Sequence, residues 1–142
     1  MTTHKSPNIA KLIGHIRHDR YDPHYLGYFE CLNKQMYYEA HDVLEELWLE
    51  NKGDRLHPFY KGLIQVAGGF VHLKKNKLNP AARLFRLSKK YLEPFRPVTE
   101  GLDVRELLGR IDGWLEVLES SNYKASPYDQ DHPPLIRLKV TL

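Results

Sequence analysis

The sequence has very little cysteine, since Cys31 is the only one among 142 residues. A single cysteine cannot form a disulfide within the chain and cannot by itself build a thiolate metal site. An internal disulfide is therefore excluded, and a redox function or a zinc finger loses its main support. We expect Cys31 to behave as a small buried hydrophobic residue.

Long hydrophobic runs are also lacking. No segment approaches the roughly 20 apolar residues that a membrane-spanning helix needs, and no charged and then apolar leader follows Met1. We therefore expect no membrane partner and a cytoplasmic location. A glycine loop suited to bind phosphate is missing as well, because Gly68 and Gly69 fall inside an apolar helical pattern and not between a strand and a helix.

Neither sign of charge is in large excess, because 21 lysines and arginines oppose 18 acids and give a net charge of +3. The charges are segregated, however: residues 39–50 contain acids and no lysine or arginine, whereas residues 74–90 contain lysines and arginines and no acid. We interpret these segments as two solvated helix faces that attract one another across the bundle or across a dimer. This interpretation allows a homodimer and disfavours nucleic-acid binding.

Apolar residues recur at helical spacing along most of the sequence. Helix-start signals, in which a capping residue or a proline opens the first turn, occur at Asp22-Pro23, Pro58, Asn79-Pro80 and Asp103. No alternating strand pattern occurs before residue 120. The sequence therefore predicts an all-α fold, a single antiparallel helical bundle of about five main helices.

We predict one domain over residues 1–142, with its core at about 22–120 and a short amphipathic lid helix at about 7–18. The C-terminal tail, about 122–142, has a different pattern, because its prolines forbid a helix and its apolar residues alternate with polar ones as in a strand. The alternating apolar residues are Ile136, Leu138, Val140 and Leu142. We expect this extended tail to pack on the bundle or on a partner subunit.

One predicted helix concentrates aromatic and ionisable side chains. At 100° per residue, four side chains project within about a quarter-turn of one another: Tyr38, His41, Glu45 and Trp48. His41 and Glu45 lie on the seam between the apolar arc and the water-facing arc, and Asp42 is expected on the water-facing arc. A seam position can hold a buried ion pair, a metal ion or a ligand.

The next predicted helix, from Pro58 to about Asn76, is apolar around most of its circumference and should be central. Its polar stripe contains Lys61, Gln65, Gly68, His72 and Lys75. Two adjacent glycines within a helix cost about 1 kcal/mol each relative to alanine. We therefore expect another backbone or a bulky ring to pack closely on Gly68 and Gly69, with Trp48 or Tyr38 as the candidate ring.

Two blocks of sequence at a fixed separation resemble a known family. The first is Tyr38-Glu39-Ala40-His41-Asp42-x-Leu44-Glu45-x-x-Trp48, and the second is Phe59-Tyr60-x-Gly62-Leu63-Ile64-Gln65-Val66-Ala67 followed by Phe70-x-His72. They resemble, over about Phe29 to Leu92, the small helical proteins grouped as domain of unknown function 309. Asp42 stands where the family pattern has a glutamate. The resemblance implies an antiparallel helical bundle and brings no activity with it.

These patterns predict a polar pocket between the two helices. We expect it to be formed by Tyr38, His41, Glu45, Trp48, Tyr60, Gln65 and His72. His41 and Glu45, at positions i and i+4, can jointly ligate a divalent metal ion, and His72 can add a ligand from the facing helix. An organic ligand, or a hydrogen-bonded network that fixes helix register, would use the same residues.

Two other functions stay open at the level of sequence. A metal-dependent hydrolase would use His41, Glu45 and His72, with His41 as the base, although no nucleophile is paired with it. A helical protein-interaction module would instead use the grooves between helices. The remaining histidines are expected to be solvated at helix ends and in loops: His4, His15, His18, His24, His57 and His132.

Overall fold

The computed structural model describes residues 7–139 of the chain, so His4, Val140 and Leu142 lie outside the described residues. Within this part the α-helices are α1 (Pro7–Ile13), α2 (Pro23–Asn33), α3 (Tyr37–Glu50), α4 (His57–Lys74), α5 (Leu78–Leu92) and α6 (Val104–Ser120). A 3-10 turn (Glu93–Phe95) and two short strands, β1 (Val98–Thr99) and β2 (Leu102–Asp103), separate α5 from α6. The predicted all-α bundle of five main helices is confirmed.

The helix-start signals at Asp22 and Asp103 work as the sequence predicts, whereas α5 begins at Leu78 without a side-chain cap, so the prediction of Asn79 as its capping residue is wrong. The Asp22 carboxylate accepts a hydrogen bond from the backbone N–H of His24 at 2.8 Å, and Asp103 caps α6 through the N–H of Glu106 at 2.9 Å. Helix α1 is shorter than predicted, because it ends at Ile13 just before Gly14. None of the helices in the described part of the chain has the length and apolar character needed to cross a membrane.

Helix α4 is central, since it packs on α3 along one side and on α5 along another. Its glycines allow this close approach. A Cβ atom placed on Gly69 would lie 2.6 Å from Cε1 of Phe85, and one on Gly68 would lie 2.9 Å from Cδ1 of Leu84. The ring expected against the glycine pair therefore belongs to Phe85 of α5, and the prediction of Trp48 or Tyr38 is wrong.

A small hairpin precedes α6, contrary to the expectation of no strand before residue 120. Strand β1 pairs with β2 in antiparallel fashion, with Val98 opposite Asp103 and Thr99 opposite Leu102. The two turn residues between them have positive φ angles, 48° at Glu100 and 72° at Gly101, as tight hairpin turns require. The hairpin sets Asp103 in place as the cap of α6.

The C-terminal tail packs on the bundle as far as residue 139. The Asn33 side chain holds Ile136 through two hydrogen bonds, because its Nδ2 donates to the Ile136 carbonyl at 3.0 Å and its Oδ1 accepts from the Ile136 N–H at 2.8 Å. Ile136 is only 3% exposed. Arg110 donates to the carbonyl of Leu135 at 2.7 Å. The expectation that the tail covers the bundle is confirmed for these residues, although they form no strand.

Ion pairs of the basic segment connect α5 to α6. Arg86 Nη2 lies 3.0 Å from a Glu119 oxygen, and Lys89 Nζ lies 2.5 Å from an Asp112 oxygen. Arg86 and Lys89 therefore pair with acidic residues of α6. The charge segregation in the sequence had suggested that this basic segment is attracted to the acidic face of α3. All four side chains are well exposed, so each pair adds less than about 1 kcal/mol to stability.

His24 connects the start of α2 to α3. The expectation that this histidine is solvated is therefore wrong. Its Nδ1 lies 2.7 Å from Asp22 Oδ1 and its Nε2 lies 2.8 Å from Glu46 Oε1. Burial lowers the pKa of His24, but the hydrogen bonds to Glu46 and Asp22 outweigh burial, so that the pKa is raised above 6.5. The contact fixes the position of α3, which carries most of the candidate site.

Replacement of Gly69 by alanine should destabilise the protein. Phe85 is fully buried, so its ring cannot move freely away from a new methyl group. Overpacking of this kind costs about 1–3 kcal/mol, which exceeds the gain in helix propensity of about 1 kcal/mol. We expect the free energy of unfolding in urea to fall by about 1 kcal/mol.

Gly113 of α6 provides the matched control, because a Cβ there meets nothing within 4 Å. Gly113→Ala should raise the free energy of unfolding by up to about 1 kcal/mol. Equal stabilities of the Gly69→Ala and Gly113→Ala proteins would show that the contact between α4 and Phe85 is not tight.

Replacement of His24 by glutamine should remove a pH-dependent part of the stability. Because the folded pKa lies above 6.5, protonated His24 contributes stability that is complete below pH 6.5 and is lost as the pH rises through the folded pKa. The difference in free energy of unfolding between wild type and His24→Gln should therefore be larger at about pH 5.5 than at about pH 9. Urea denaturation at the two pH values measures it.

His15 offers the control for this experiment. It also pairs with a carboxylate, at 2.8 Å from Glu30, but its side chain is 58% exposed, and exposed pairs contribute little. His15→Gln should change stability by a small amount at both pH values. A His24→Gln effect that does not vary with pH would contradict the role assigned to His24.

Candidate functional site

A cleft of 260 Å³ lies between α3 and α4. The residues that line it are Tyr38 and His41 of α3, Gly68, Val71 and His72 of α4, Lys75 directly after α4, and Leu84 of α5. His41 and His72, which the sequence places on neighbouring helices, therefore meet at one cleft. They do so because α3 and α4 run in opposite directions, which brings the first half of α3 level with the last turns of α4.

His41 lines the cleft, and beside it on α3 lie two carboxylates with which it can bind a cation. One nitrogen of His41 and one carboxylate oxygen each of Asp42 and Glu45 lie within 4.8 Å of one another, and all three residues are half-buried. The Nδ1 atom of His41 lies 3.2 Å from Asp42 Oδ1. The pairing of His41 with Glu45 follows the predicted spacing of i and i+4.

Asp42 belongs to this group, although the helical pattern in the sequence predicted that it faces solvent. On a helical wheel it lies 100° from His41, which suggested the solvent side, but its side chain turns back to His41. Its spacing of three residues from Glu45 is the signal that could have found it, because residues at i and i+3 are neighbours on a helix.

His72 faces the cleft from α4 and does not belong to the group of three. Its Nδ1 atom is buried and has no hydrogen-bond partner among the described residues. Burial lowers the pKa of His72, and the charges of Lys77, Lys75 and Arg83 lower it further. The imidazole is therefore neutral near pH 7 and available as a hydrogen-bonding or metal-binding group.

The polar stripe continues from the cleft toward the start of α4. The Trp48 ring stacks on His57 with 4.5 Å between ring centroids, and Lys61 Nζ lies 4.6 Å from the Trp48 centroid. His57 is thus half-buried against Trp48, which corrects the expectation that it is solvated. Gln65 is 8% exposed, and its Oε1 atom has no hydrogen-bond partner among residues 7–139.

Two other predicted pocket residues occupy different surroundings. Tyr60 does not line the cleft; its ring lies 6.1 Å from that of Tyr25 on α2, and burial raises its pKa to about 12. Tyr38 does line the cleft but is 63% exposed, so it forms part of the rim. Successive residues of a helix point 100° apart. Tyr60 therefore points away from its neighbour Lys61, which belongs to the polar stripe, and its ring lies on the α2 side of α4.

Comparisons with known proteins bear on this part of the chain. Similarity is found to a protein named "Uncharacterized protein YpuF" from Bacillus subtilis (strain 168), with 32% identity over 92 residues, which are 63% of this chain and 53% of the relative. The chain thus spans about half the length of that curated relative. No solved structure matches the chain.

A family model matches the part of the chain that contains the cleft. The match begins in α2, includes all of α3 and α4, and ends in α5, so that every residue lining the cleft falls within it. The resemblance seen in the two sequence blocks is thereby confirmed: residues 25–84 match the family described as "Domain of unknown function (DUF309)".

Proposed function

We propose that the protein binds a divalent metal ion at the α3 wall of the cleft, through His41, Asp42 and Glu45. The observation that carries the proposal is the approach of three ligand atoms to within 4.8 Å of one another beside an open cleft. Ligand atoms that share one ion at about 2.0–2.2 Å lie roughly 3–4 Å apart. Small side-chain rotations therefore suffice to close the group around an ion.

The chemistry of the donors favours Zn²⁺ or Mn²⁺. An imidazole suits zinc and iron, whereas carboxylates suit manganese and magnesium, and this group offers one imidazole and two carboxylates. The 3.2 Å between His41 Nδ1 and Asp42 Oδ1 supports the site further, because two ligand atoms of one ion lie at about this separation.

Three protein ligands leave coordination positions open, as in metal sites that bind a further molecule. The open positions would face a cleft of 260 Å³ whose opposite side carries His72. We therefore propose that the metal ion helps to hold a small ligand in the cleft. Trp48 and Gln65 would support the same pocket from the next turns of α3 and α4.

Several sequence-based hypotheses remain predictions beside this proposal. They are hydrolysis by the metal site, a role as a helical interaction module, a homodimer, a cytoplasmic location and a single domain over residues 1–142. Among these, hydrolysis depends on the metal site. No serine, threonine or cysteine that could act as a nucleophile is paired with His41 among residues 7–139, so the attacking group would have to be a metal-bound water.

Calorimetric titration of the protein without a histidine tag should detect the metal ion. We expect Zn²⁺ or Mn²⁺ to bind at one ion per chain, and we expect His41→Ala or Glu45→Gln to weaken binding at least about tenfold, since even outer-sphere partners of metal ligands are worth 10–100-fold. Bound metal should also raise the free energy of unfolding, by about 2.7 kcal/mol at a concentration 100 times the Kd.

The control is His15→Ala, which removes an exposed histidine that also lies beside a glutamate. This variant should bind the metal ion as wild type does. Absence of metal binding, combined with a large loss of stability in His41→Ala, would contradict the proposal and favour a hydrogen-bonded network that fixes helix register.

A further inference from the structure

The charges next to the cleft between α3 and α4 have opposite signs on the two helices. Asp42 and Glu45 do not line the cleft but lie beside His41, which does. Lys75 lines the cleft on the α4 side together with His72, and Lys75, Lys77 and Arg83 all act on the pKa of His72. A ligand that lies across such a cleft beside a metal ion would carry negative charge toward α4.

The pKa of His72 is sensitive to the positive charges on the α4 side of the cleft. The charges of Lys77, Lys75 and Arg83 disfavour a proton on its ring, and the same charges favour an anion placed beside it. The Nδ1 atom of His72 is buried without a hydrogen-bond partner among the residues that the structure describes. A neutral imidazole carries one N–H, at Nδ1 or Nε2, and the tautomer with the proton on Nε2 can donate a hydrogen bond to an anion in the cleft.

The rest of the cleft wall is apolar. Val71 and Leu84 line it from α4 and α5, Gly68 adds no side chain between them, and the Tyr38 ring forms part of the rim. These surfaces suit the apolar body of an organic molecule better than a hydrated inorganic ion. The volume of 260 Å³ is below the roughly 300–1,000 Å³ of pockets for drug-sized molecules, so the ligand should be smaller.

We propose that the cleft binds a small organic anion, whose charged group contacts His72 and Lys75 and whose apolar body packs on Val71 and Leu84. This inference rests on the proposed function, because it assigns a ligand class to the cleft beside the metal site. The metal ion at the opposite side would strengthen the binding of such an anion and would orient it.

Binding of two aromatic anions, phenyl phosphate and benzoate, tests the inference on the whole chain with and without saturating Mn²⁺. The first is followed by 31P relaxation and the second by 1H relaxation, which report the slower tumbling of the bound anion without Mn²⁺ and, in addition, the paramagnetic effect of bound Mn²⁺ with it. We expect at least one of the two to bind, and inorganic phosphate to bind at least about tenfold more weakly than phenyl phosphate because it lacks the apolar body. Lys75→Gln should weaken the binding of the aromatic anion about tenfold.

Lys52→Gln is the matched control, because it removes a lysine from the loop that joins α3 to α4, at the end opposite the cleft. It should leave the affinity for the aromatic anion unchanged. The inference is overturned if neither aromatic anion binds, if inorganic phosphate binds as tightly as phenyl phosphate, or if Lys75→Gln binds as wild type does.

Measurement of Mn²⁺ affinity on the same samples separates the two proposals. Lys75→Gln should bind Mn²⁺ as wild type does, so intact metal binding without anion binding contradicts this inference alone. Loss of metal binding, with anion binding that still depends on Lys75, contradicts the metal site alone and supports the anion site.

Discussion

Helices α4 and α5 pack so closely that a Cβ atom at Gly62 or Gly69 would fall within 2.7 Å of a side-chain atom of α5. This approach locks Phe85 between Phe70 of α4 and Trp114 of α6, with ring centroids 5.5 Å and 5.4 Å away. Once Phe85 is fixed, its neighbour Leu84 must leave the core and line the cleft. The rotation of α4 is fixed by the same contact, so the polar stripe of α4 is held beside α3.

Local features of the fold could be predicted from the sequence, whereas neighbours in space could not. The apolar period and the capping residues Asp22 and Asp103 depend on a few adjacent positions, and they predicted the helices well. The spacing of apolar residues also showed which face of α4 carries the glycines. It did not show which helix packs on that face, and the structure places α5 there instead of α3. Strands of two residues carry no period, and for this reason the hairpin at 98–103 was missed.

The same distinction explains the candidate site. His41 and His72 could be assigned to one cleft because each lies on a stripe that helical spacing defines. Asp42 was assigned to water because a helical wheel ignores the length and rotation of a side chain. His24 and His57 lie at helix starts, where the sequence says nothing of the partners, Glu46 and Trp48, that tertiary packing brings to them.

The buried polar atoms of α3 and α4 support the proposed binding site over a purely structural network. Trp48 Nε1, Gln65 Oε1 and His72 Nδ1 have no hydrogen-bond partner within residues 7–139, and each such atom costs about 1–3 kcal/mol. A network that fixed helix register would gain by satisfying its members, since half-satisfied networks lose to apolar packing. The close contact of α4 with α5 fixes the register of those two helices without polar groups. A polar stripe whose buried atoms lack partners is the pattern expected of residues retained for binding, in agreement with the proposal.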